Sequence, residues 1–303
     1  MKNKKLNLIN TRTWIEDNKN CFAPPVCNKL MHNEQLIVMF VGGPNQREDY
    51  HIEEGEELFY QVKGDMCVKI IENGQHKDIV IKEGEMFLLP ARVPHSPQRK
   101  VDTIGLVIER RRSGNEFDAV RWYAPNSVNT LYEKWFNCKD LGTELVPLIK
   151  DYFNSKEYAT KVPGLNVLDK SEYPFELNNT LIDKNKHGAF DLIRRCYSQD
   201  SSSIDFHYKE LNLQFECTVF KSGEHILPNF VGGSIDIWFW QIAGNSSISL
   251  IGQEDTDSFN LETHDSLMVP MDYFYKDIKI KIENDKSILL RVSQNPKFKI
   301  KKQ

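Results

Sequence analysis

Short apolar stretches separated by turn residues dominate the chain between residues 36 and 112. This pattern predicts β-strands, which we place at residues 35–42, 58–63, 65–71, 78–81 and 86–89. Turn signals such as Gly42-Gly43-Pro44-Asn45 lie between them. Several short strands at this spacing indicate a β-sandwich or barrel rather than alternating strands and helices.

The period of the apolar positions changes near residue 130. Residues with helical spacing follow, which predicts one or two amphipathic helices. They are Leu131, Trp135, Leu145, Leu148, Ile149, Tyr152 and Phe153. A polar stretch that begins with KVPG at residues 161–164 then predicts a linker, and strand-like segments resume at residues 210–220.

An internal repeat is the most informative feature of the pattern. FYQVKG at residues 59–64 returns as FWQIAG at 239–244, and MFLLP at 86–90 returns as SLMVP at 266–270. Both pairs have the same offset along the chain, which favours a duplicated fold over two unrelated β segments. We therefore predict a mainly β protein with two β-barrels in tandem and a few short helices. The predicted boundaries are 1–162 for the first domain, 163–182 for the linker and 183–303 for the second domain.

Composition narrows the possible partners. The 303 residues carry 39 Lys and Arg against 43 Asp and Glu, a net charge of −4, so no basic field for nucleic acid is evident. The longest strongly apolar run, residues 36–41, is too short to cross a bilayer, and the first residues do not continue into a signal peptide. The six cysteines include no CxxC pair. We expect a cytosolic protein with free thiols and with no nucleic-acid or membrane partner.

Two histidines and two glutamates form a candidate metal site. His51, Glu53 and Glu57 share parity, so on one strand they would face one side unless Gly55 breaks the alternation. His95 follows Pro94 and can be presented from a neighbouring strand. Two imidazoles and one carboxylate make the facial triad of non-haem Fe(II), which leaves three coordination positions open. The residues alone leave open which glutamate is the ligand and whether a single histidine is merely structural.

Two segments resemble the signature motifs of the cupin superfamily. They are HIEEGEELFYQVKG at residues 51–64 and GEMFLLPARVPH at residues 84–95. The matching positions are His51, Glu57, Gly64, Gly84, Pro90 and His95. Two positions depart from the pattern, because Glu53 replaces a second histidine and Arg92 replaces a second glycine. The resemblance favours Glu57 as the ligand, since it alone precedes Gly64 at the motif's spacing.

The second copy of the repeat lacks these ligands. At the offset of the repeat, Val231, Ile237 and Tyr275 take the places of His51, Glu57 and His95. None of these side chains replaces a lost imidazole or carboxylate. We therefore predict that the second cupin barrel is degenerate and free of metal.

Five further blocks resemble the 3-hydroxyanthranilate 3,4-dioxygenase family, in its animal-type form with two cupin barrels in one chain. They are residues 22–32, 41–45, 91–99, 105–112 and 133–142. The bacterial form carries a CxxC iron site, which this sequence lacks. The resemblance implies one Fe(II) per chain, bound by His51, Glu57 and His95 in the first barrel, and a monomeric protein.

The family also implies the remaining site residues and the reaction. Arg99, Glu109 and Glu57 would bind an aromatic substrate, and Arg47 would bind substrate or O2. Val26 and Asn28 would line the pocket. The planar guanidinium groups of Arg47 and Arg99 suit the carboxylate of 3-hydroxyanthranilate. We expect the neighbouring arginine run at residues 110–112 (RRR) to be mostly solvated. Ring cleavage would give 2-amino-3-carboxymuconate semialdehyde, which closes to quinolinate, a precursor of NAD.

Other interpretations of the sequence remain open. One is a different cupin dioxygenase or a sugar isomerase, although Arg47, Arg99 and Glu109 together argue against a neutral substrate. Another is a non-catalytic bicupin that only binds or stores a ligand. Loss of metal ligands in both halves would be expected for such a protein, and the first half retains them.

Overall fold

The computed structural model describes residues 5–24, 27–139, 141–178, 188–206, 214–228, 235–273 and 275–295. These residues form a mainly β protein, which confirms the predicted fold class. The strands of the first half are β1 (Ile9–Asn10), β2 (Asn28–Asn33), β3 (Leu36–Gly42), β4 (Tyr50–Glu53), β5 (Glu57–Lys63), β6 (Met66–Glu72), β7 (Gln75–Ile81), β8 (Glu85–Leu89), β9 (His95–Arg99), β10 (Ile104–Arg110), β11 (Asp118–Tyr123) and β12 (Thr130–Phe136).

The remaining strands and the helices follow in the same order. The strands are β13 (Phe190–Asp191), β14 (Ser203–Asp205), β15 (Phe215–Phe220), β16 (Gly223–Pro228), β17 (Ile237–Ala243), β18 (Ser246–Ile251), β19 (Thr256–Leu261), β20 (Asp265–Val269), β21 (Asp277–Ile282) and β22 (Ile288–Gln294). The helices are α1 (Thr11–Asp17), α2 (Leu141–Phe153), α3 (Lys156–Thr160) and α4 (Leu192–Tyr197).

In the part of the chain that the structure describes, hydrogen-bonded strands build four sheets. Their strand orders are β13-β8-β5-β10-β3-β2, β12-β11-β4-β9-β6-β7, β1-β20-β17-β22-β15-β14 and β16-β21-β18-β19. The chain divides into two compact units by its internal contacts. The N-terminal unit comprises Cys21–Asn28 and Met39–Phe190, and the C-terminal unit comprises Met1–Asn20, Lys29–Val38 and Asp191–Gln303.

The internal repeat is visible strand by strand. Strand β17 repeats β5 and strand β20 repeats β8, with one constant offset at both ends of each strand. The pairing register repeats as well, because Phe59 lies opposite Phe87 in the first copy and Phe239 lies opposite Leu267 in the second. The turn after β5 and the turn after β17 therefore follow strands with the same pairing register.

Both copies end this strand in the same glycine turn. Gly64 has φ +67° and Gly244 has φ +68°, in the left-handed region that favours glycine. A glutamine amide stabilises each turn: Nε2 of Gln61 donates to the Gly64 carbonyl at 2.7 Å, and Nε2 of Gln241 donates to the Ala243 carbonyl at 2.8 Å. The repeated Gln and Gly thus have a structural purpose that is independent of any metal.

Each unit has its own apolar core. The N-terminal core includes Val68, Ile70 and Phe87, and the C-terminal core includes Phe239 and Leu289, all of them buried. Burying one such side chain typically contributes about 1.5–3 kcal/mol. These cores provide a rigid support for polar side chains that face inward.

The helical segment begins later than the sequence predicted. Leu131 and Trp135 lie in β12, which pairs with β11. Their spacing of four residues fits one face of a strand as well as one face of a helix, so the spacing did not distinguish the two. Helix α2 begins at Leu141, and it packs its apolar face against Trp122 and Tyr132. The predicted start near residue 130 was therefore wrong, whereas the amphipathic helix itself is present.

The segment predicted as a linker is described as far as Asn178. Phe175 is buried beside Ile52 and Ala119, and the Leu168 amide donates to Oε1 of Glu133 at 2.9 Å. This part of the segment therefore packs within the N-terminal unit. The domain boundaries proposed from the sequence stay a prediction. Residues 1–20, which that prediction put in the first domain, belong by their contacts to the C-terminal unit.

Two further features bear on the predicted cellular setting. All six cysteines are free thiols. Within the described ranges, we find no helix with the length and apolar character that crossing a membrane requires.

Candidate active site

Two histidines and a glutamate meet inside the N-terminal unit. His51 in β4 lies opposite His95 in β9, and Glu57 enters from β5 in the facing sheet. Oε1 of Glu57 lies 2.7 Å from Nε2 of His95 and 3.9 Å from Nδ1 of His51. All three side chains are buried. The structure therefore brings together the three residues predicted as metal ligands.

The glutamate does not share a strand with His51, so the interpretation based on strand parity was wrong. Strand β4 ends at Glu53 and β5 begins at Glu57 in another sheet. The residues between them, which include Gly55, carry the chain across. Because the ligands come from two sheets of one unit, their spacing depends on the packing of that unit.

The second nitrogen of each imidazole is held by an oxygen atom. Nε2 of His51 lies 2.7 Å from Oδ2 of Asp118, and Nδ1 of His95 lies 2.9 Å from the Val93 carbonyl oxygen. An acceptor at one ring nitrogen favours the tautomer whose proton is on that nitrogen. In the neutral ring, the lone pair of the other nitrogen faces Glu57 and can bind a cation, which for His51 takes the place of the second proton that Asp118 and Glu57 favour. Histidine ligands in metalloproteins are usually oriented in this way.

The donor set fits a divalent transition metal. One ligand atom from each of His51, Glu57 and His95 lies within 4.8 Å of the other two. Burial alone would raise the pKa of Glu57, but His95 and His51 beside it hold that pKa well below its usual range. Burial would lower the pKa of His51, yet Asp118 and Glu57 raise it to about 10. A buried ionised carboxylate needs a partner, which a cation or these imidazoles can supply.

Glu53 approaches the Glu57 carboxylate and is also paired with an arginine. Oε2 of Glu53 lies 2.6 Å from Nη2 of Arg112, and Oε2 of Glu109 lies 3.2 Å from Nη1 of the same guanidinium. Burial raises the pKa of both Glu53 and Glu109, and Arg112 opposes that shift. Glu53, Glu57 and Glu109 also form a compact acidic group, in which Arg112 is the neighbouring counter-charge.

The arginine run at residues 110–112 is not mostly solvated, so that prediction was wrong for two of its members. Arg110 is buried, and its Nη1 donates to Oε2 of Glu116 at 2.8 Å. The Arg112 side chain is only 12% exposed. Arg111 is exposed, as predicted. Buried carboxylates around the end of β10 provide the partners that make burial of two guanidinium groups tolerable.

Arg99 places a second guanidinium beside the three candidate ligands. It lies in β9 and is buried, and burial lowers its pKa to about 10 while nearby Glu57 opposes the shift. Within the described part of the chain, its Nε has no hydrogen-bond partner. Because buried polar groups are normally paired, this donor is well suited to an anionic ligand.

The remaining predicted pocket residues differ in their positions. Nε of Arg47 donates to Oδ2 of Asp49 at 3.1 Å, so a carboxylate of this chain already orients its guanidinium. Glu109 is buried in β10. Asn28 is exposed at the start of β2. Val26 lies outside the described residues.

Arg92 explains one departure from the cupin pattern. Its φ is +66°, so the position requires the left-handed backbone for which the pattern has glycine. The Arg92 side chain offers compensation, because Nη2 donates to Oε2 of Glu54 at 2.8 Å and the guanidinium lies 4.9 Å from the Phe175 ring centre. The Arg92 amide also donates to the Glu53 carbonyl at 2.8 Å. These contacts fix the turn that leads into His95.

Two of the three equivalent positions of the second copy are described, and both lie in or against an apolar core. Ile237 is buried in the core of the C-terminal unit, and Tyr275 packs against that core. Val231 lies outside the described residues. The absence of a metal from this copy stays a prediction.

Sequence reasoning missed three residues of the site: Asp49, Arg112 and Asp118. Asp118 is fully buried and starts β11, whose pairing with β4 brings it next to His51. A charged residue at the beginning of an apolar strand was the only signal in the sequence. Its contact with the site, His51, is 67 positions away in the chain, so spacing alone did not identify it.

Antiparallel sheets around a buried His/Glu/His group define a mainly β protein with a candidate metal centre. A family model described as 3-hydroxyanthranilic acid dioxygenase matches residues 2–153. The chain is 46% identical to 3-hydroxyanthranilate 3,4-dioxygenase of Xenopus laevis, over 95% of this chain and 98% of that protein. It is 42% identical to the human enzyme of the same name, over 96% and 97%. The chain therefore belongs to the 3-hydroxyanthranilic acid dioxygenase family.

A solved structure of Bacillus subtilis oxalate decarboxylase is also similar, with a TM-score of 0.49 and 15% identity over 90% of this chain and 73% of that chain.

Proposed function

We propose that this protein cleaves the aromatic ring of 3-hydroxyanthranilate with O2, using one Fe(II) bound in its N-terminal unit. The observation that carries the proposal is the buried His51–Glu57–His95 group in a chain of the dioxygenase family. The nearly full-length similarity to the Xenopus laevis and human enzymes supports the choice of substrate.

His51, Glu57 and His95 would hold the metal. Two imidazoles and one carboxylate are the donor set of non-haem Fe(II) oxygenases, and such a set leaves coordination positions open. When bound, Fe(II) would supply these positions for a chelating substrate and for O2, and would carry electrons from the substrate to O2. The Asp118 carboxylate and the Val93 carbonyl keep the imidazoles in the required orientation.

Arg99 and Arg47 would bind the carboxylate of the substrate. Arg99 is buried, carries an unpaired Nε within the described residues, and interacts electrostatically with both Glu57 and Arg47. A planar guanidinium binds a carboxylate through two parallel hydrogen bonds. The Asp49 carboxylate restrains Arg47, so less side-chain entropy is lost when the substrate arrives.

Glu109 would face the polar edge of the substrate, where the hydroxyl and amino groups lie. Its carboxylate can accept a hydrogen bond from either group, or the proton that the hydroxyl loses on binding. Burial raises the pKa of Glu109, which makes it a better proton acceptor than a solvated glutamate. The family resemblance proposes Asn28 and Val26 as further pocket residues.

The proposed reaction breaks the ring bond between the hydroxyl-bearing carbon and its unsubstituted neighbour, and each of these two carbons receives one atom of O2. One carbon becomes a carboxylate and the other an aldehyde, giving 2-amino-3-carboxymuconate semialdehyde. Attack of the amine on the aldehyde, with loss of one water, closes this product to quinolinate. The protein would thereby contribute to the synthesis of NAD.

A comparison of three substrates tests the proposal. We expect the Fe(II)-loaded protein to consume O2 with 3-hydroxyanthranilate, and much more slowly with 2-aminophenol, which lacks the carboxylate. Loss of a buried charged contact costs about 2–5 kcal/mol, so kcat/KM should fall by at least about 30-fold. Anthranilate, which lacks the hydroxyl, should not react. Equal kcat/KM for 2-aminophenol and 3-hydroxyanthranilate would contradict the proposed substrate.

We further propose a monomeric, cytosolic enzyme without nucleic-acid or membrane partners. The free thiols are compatible with a reducing compartment. The two copies of the fold in one chain support a monomer, because the second copy can replace a partner subunit. In this proposal the second copy has a structural purpose and binds no metal.

A further inference from the structure

One guanidinium contacts three buried carboxylates next to the candidate metal ligands. Arg112 lies 2.6 Å from Glu53, 3.2 Å from Glu109 and 2.9 Å from Asp118, measured between the closest nitrogen and oxygen atoms of the ion pairs. All three carboxylates are buried, and together they raise the pKa of the Arg112 guanidinium. A buried carboxylate without a partner is costly, so this shared counter-charge determines where all three side chains point.

Each of the three nitrogens of Arg112 serves a different carboxylate. Nε donates to Oδ1 of Asp118, Nη1 donates to Oε2 of Glu109, and Nη2 is paired with Oε2 of Glu53. Lysine has a single nitrogen at the end of a flexible chain and cannot reproduce this fork. The arrangement therefore depends on the geometry of the guanidinium as well as on its charge.

Two of these carboxylates have roles in the proposed function. Asp118 accepts a hydrogen bond from Nε2 of His51, and Glu109 is the proposed partner of the substrate. Arg112 itself contacts neither His51 nor Glu57 in the described contacts. It follows β10 and reaches Asp118 at the start of β11 and Glu53 at the end of β4, so it connects the two sheets of the site.

We propose that Arg112 is a positioning residue of the metal centre, which orients His51 through Asp118 and places Glu109 at the same time. The proposal rests on the metal centre described under the proposed function. It assigns to Arg112 no contact with metal or substrate. Its contribution is to keep Asp118 where the His51 ring is oriented for coordination.

If Arg112 acted only through its charge, its substitution would change cation affinity in the direction opposite to the one that a positioning role predicts. A positive charge near a cation site repels the cation, so removing it should tighten cation binding. A positioning residue has the opposite effect, because its loss leaves Asp118 and His51 less ordered and weakens binding. Replacement by lysine separates the two explanations further, because it keeps the charge and removes the fork.

The experiment measures Co(II) affinity in the full-length protein by competition with a chelator, together with the visible absorption of the bound ion. The variants are Arg112→Lys, Arg112→Gln and Asp118→Asn. Matched controls are Arg110→Lys and Arg110→Gln, which disturb a buried arginine of the same run whose partner is Glu116. Circular dichroism establishes that each variant is folded.

We expect Arg112→Lys and Asp118→Asn to weaken Co(II) binding by about 10- to 100-fold, the usual effect of losing a partner of a ligand. Arg112→Gln should also weaken it, and the Arg110 variants should bind like the wild type. If Arg112→Gln does not fold, Arg112→Lys and Asp118→Asn decide the question.

Unchanged affinity in Arg112→Lys, or tighter binding in Arg112→Gln, would overturn the proposal while leaving the metal centre intact. A wild-type protein that binds no divalent cation would overturn the metal centre itself, and the positioning role with it. The two failures are therefore distinguishable, and neither depends on a measurement of turnover.

Discussion

Replacement of His95 by alanine is expected to abolish both iron retention and ring cleavage. His95 supplies one of two imidazoles, and its Nε2 lies 2.7 Å from the carboxylate of Glu57. Loss of a group that only orients a ligand typically costs about 10- to 100-fold in metal affinity or activity, so loss of the ligand itself should exceed that range. Iron content after gel filtration, together with O2 consumption, measures the effect. His51→Ala should behave in the same way.

A matched control comes from the second copy of the fold. Tyr275 occupies the position equivalent to His95 in the repeat and packs against the core of the C-terminal unit. Tyr275→Phe should retain iron and turnover, because we assign no ligand to that copy. A His95→Ala protein that keeps one iron per chain and remains active would remove His95 from the ligand set.

Arg99→Ala is expected to weaken substrate binding severely while the protein keeps its iron. The guanidinium is buried, with only 4% of the residue exposed, and no carboxylate of this chain is paired with it in the described ion pairs. Truncating one partner of a buried charged contact costs about 2–5 kcal/mol, so KM for 3-hydroxyanthranilate should rise by at least about 30-fold. Steady-state O2 consumption at several substrate concentrations measures the change.

Another buried arginine of the same unit provides the control for Arg99. Arg121 is paired with Glu133, whose Oε2 lies 2.6 Å from Nη2, and it contacts none of the candidate ligands in the described contacts. Arg121→Lys should lower the free energy of unfolding, and KM for 3-hydroxyanthranilate should stay at the wild-type value. If KM in Arg99→Ala equals the wild-type value, then Arg99 does not bind the substrate carboxylate.

Local spacing predicted the repeated strands, and the resemblance to the cupin motifs selected the three candidate ligands. The turns at Gly64 and Gly244 need the left-handed backbone, so the two copies kept the same residue at the same place. The histidines and Glu57 could be identified because the cupin pattern constrains each of them relative to a nearby glycine or proline. Such signals survive in the sequence because both members of each pair lie close together along the chain.

The surroundings of the ligands could not be predicted from spacing, because they depend on which strands pair and on how the chain turns between them. His51 meets Asp118 only when β11 pairs with β4. The run at residues 110–112 resembles a solvated patch until Glu53, Glu116 and Asp118 are brought to it. Even the parity of Glu53 and Glu57 was misleading, since the chain changes sheet between them.

Isotope labelling with 18O2 tests the central claim most directly. Protein loaded anaerobically with one equivalent of Fe(II) is mixed with 3-hydroxyanthranilate, 18O2 is admitted, and the quinolinate formed is analysed by mass spectrometry. We predict one 18O atom in quinolinate, in the new carboxylate, because ring closure releases the aldehyde oxygen as water. Unlabelled quinolinate, or no O2 consumption by protein with iron demonstrably bound, would contradict the proposed dioxygenase function.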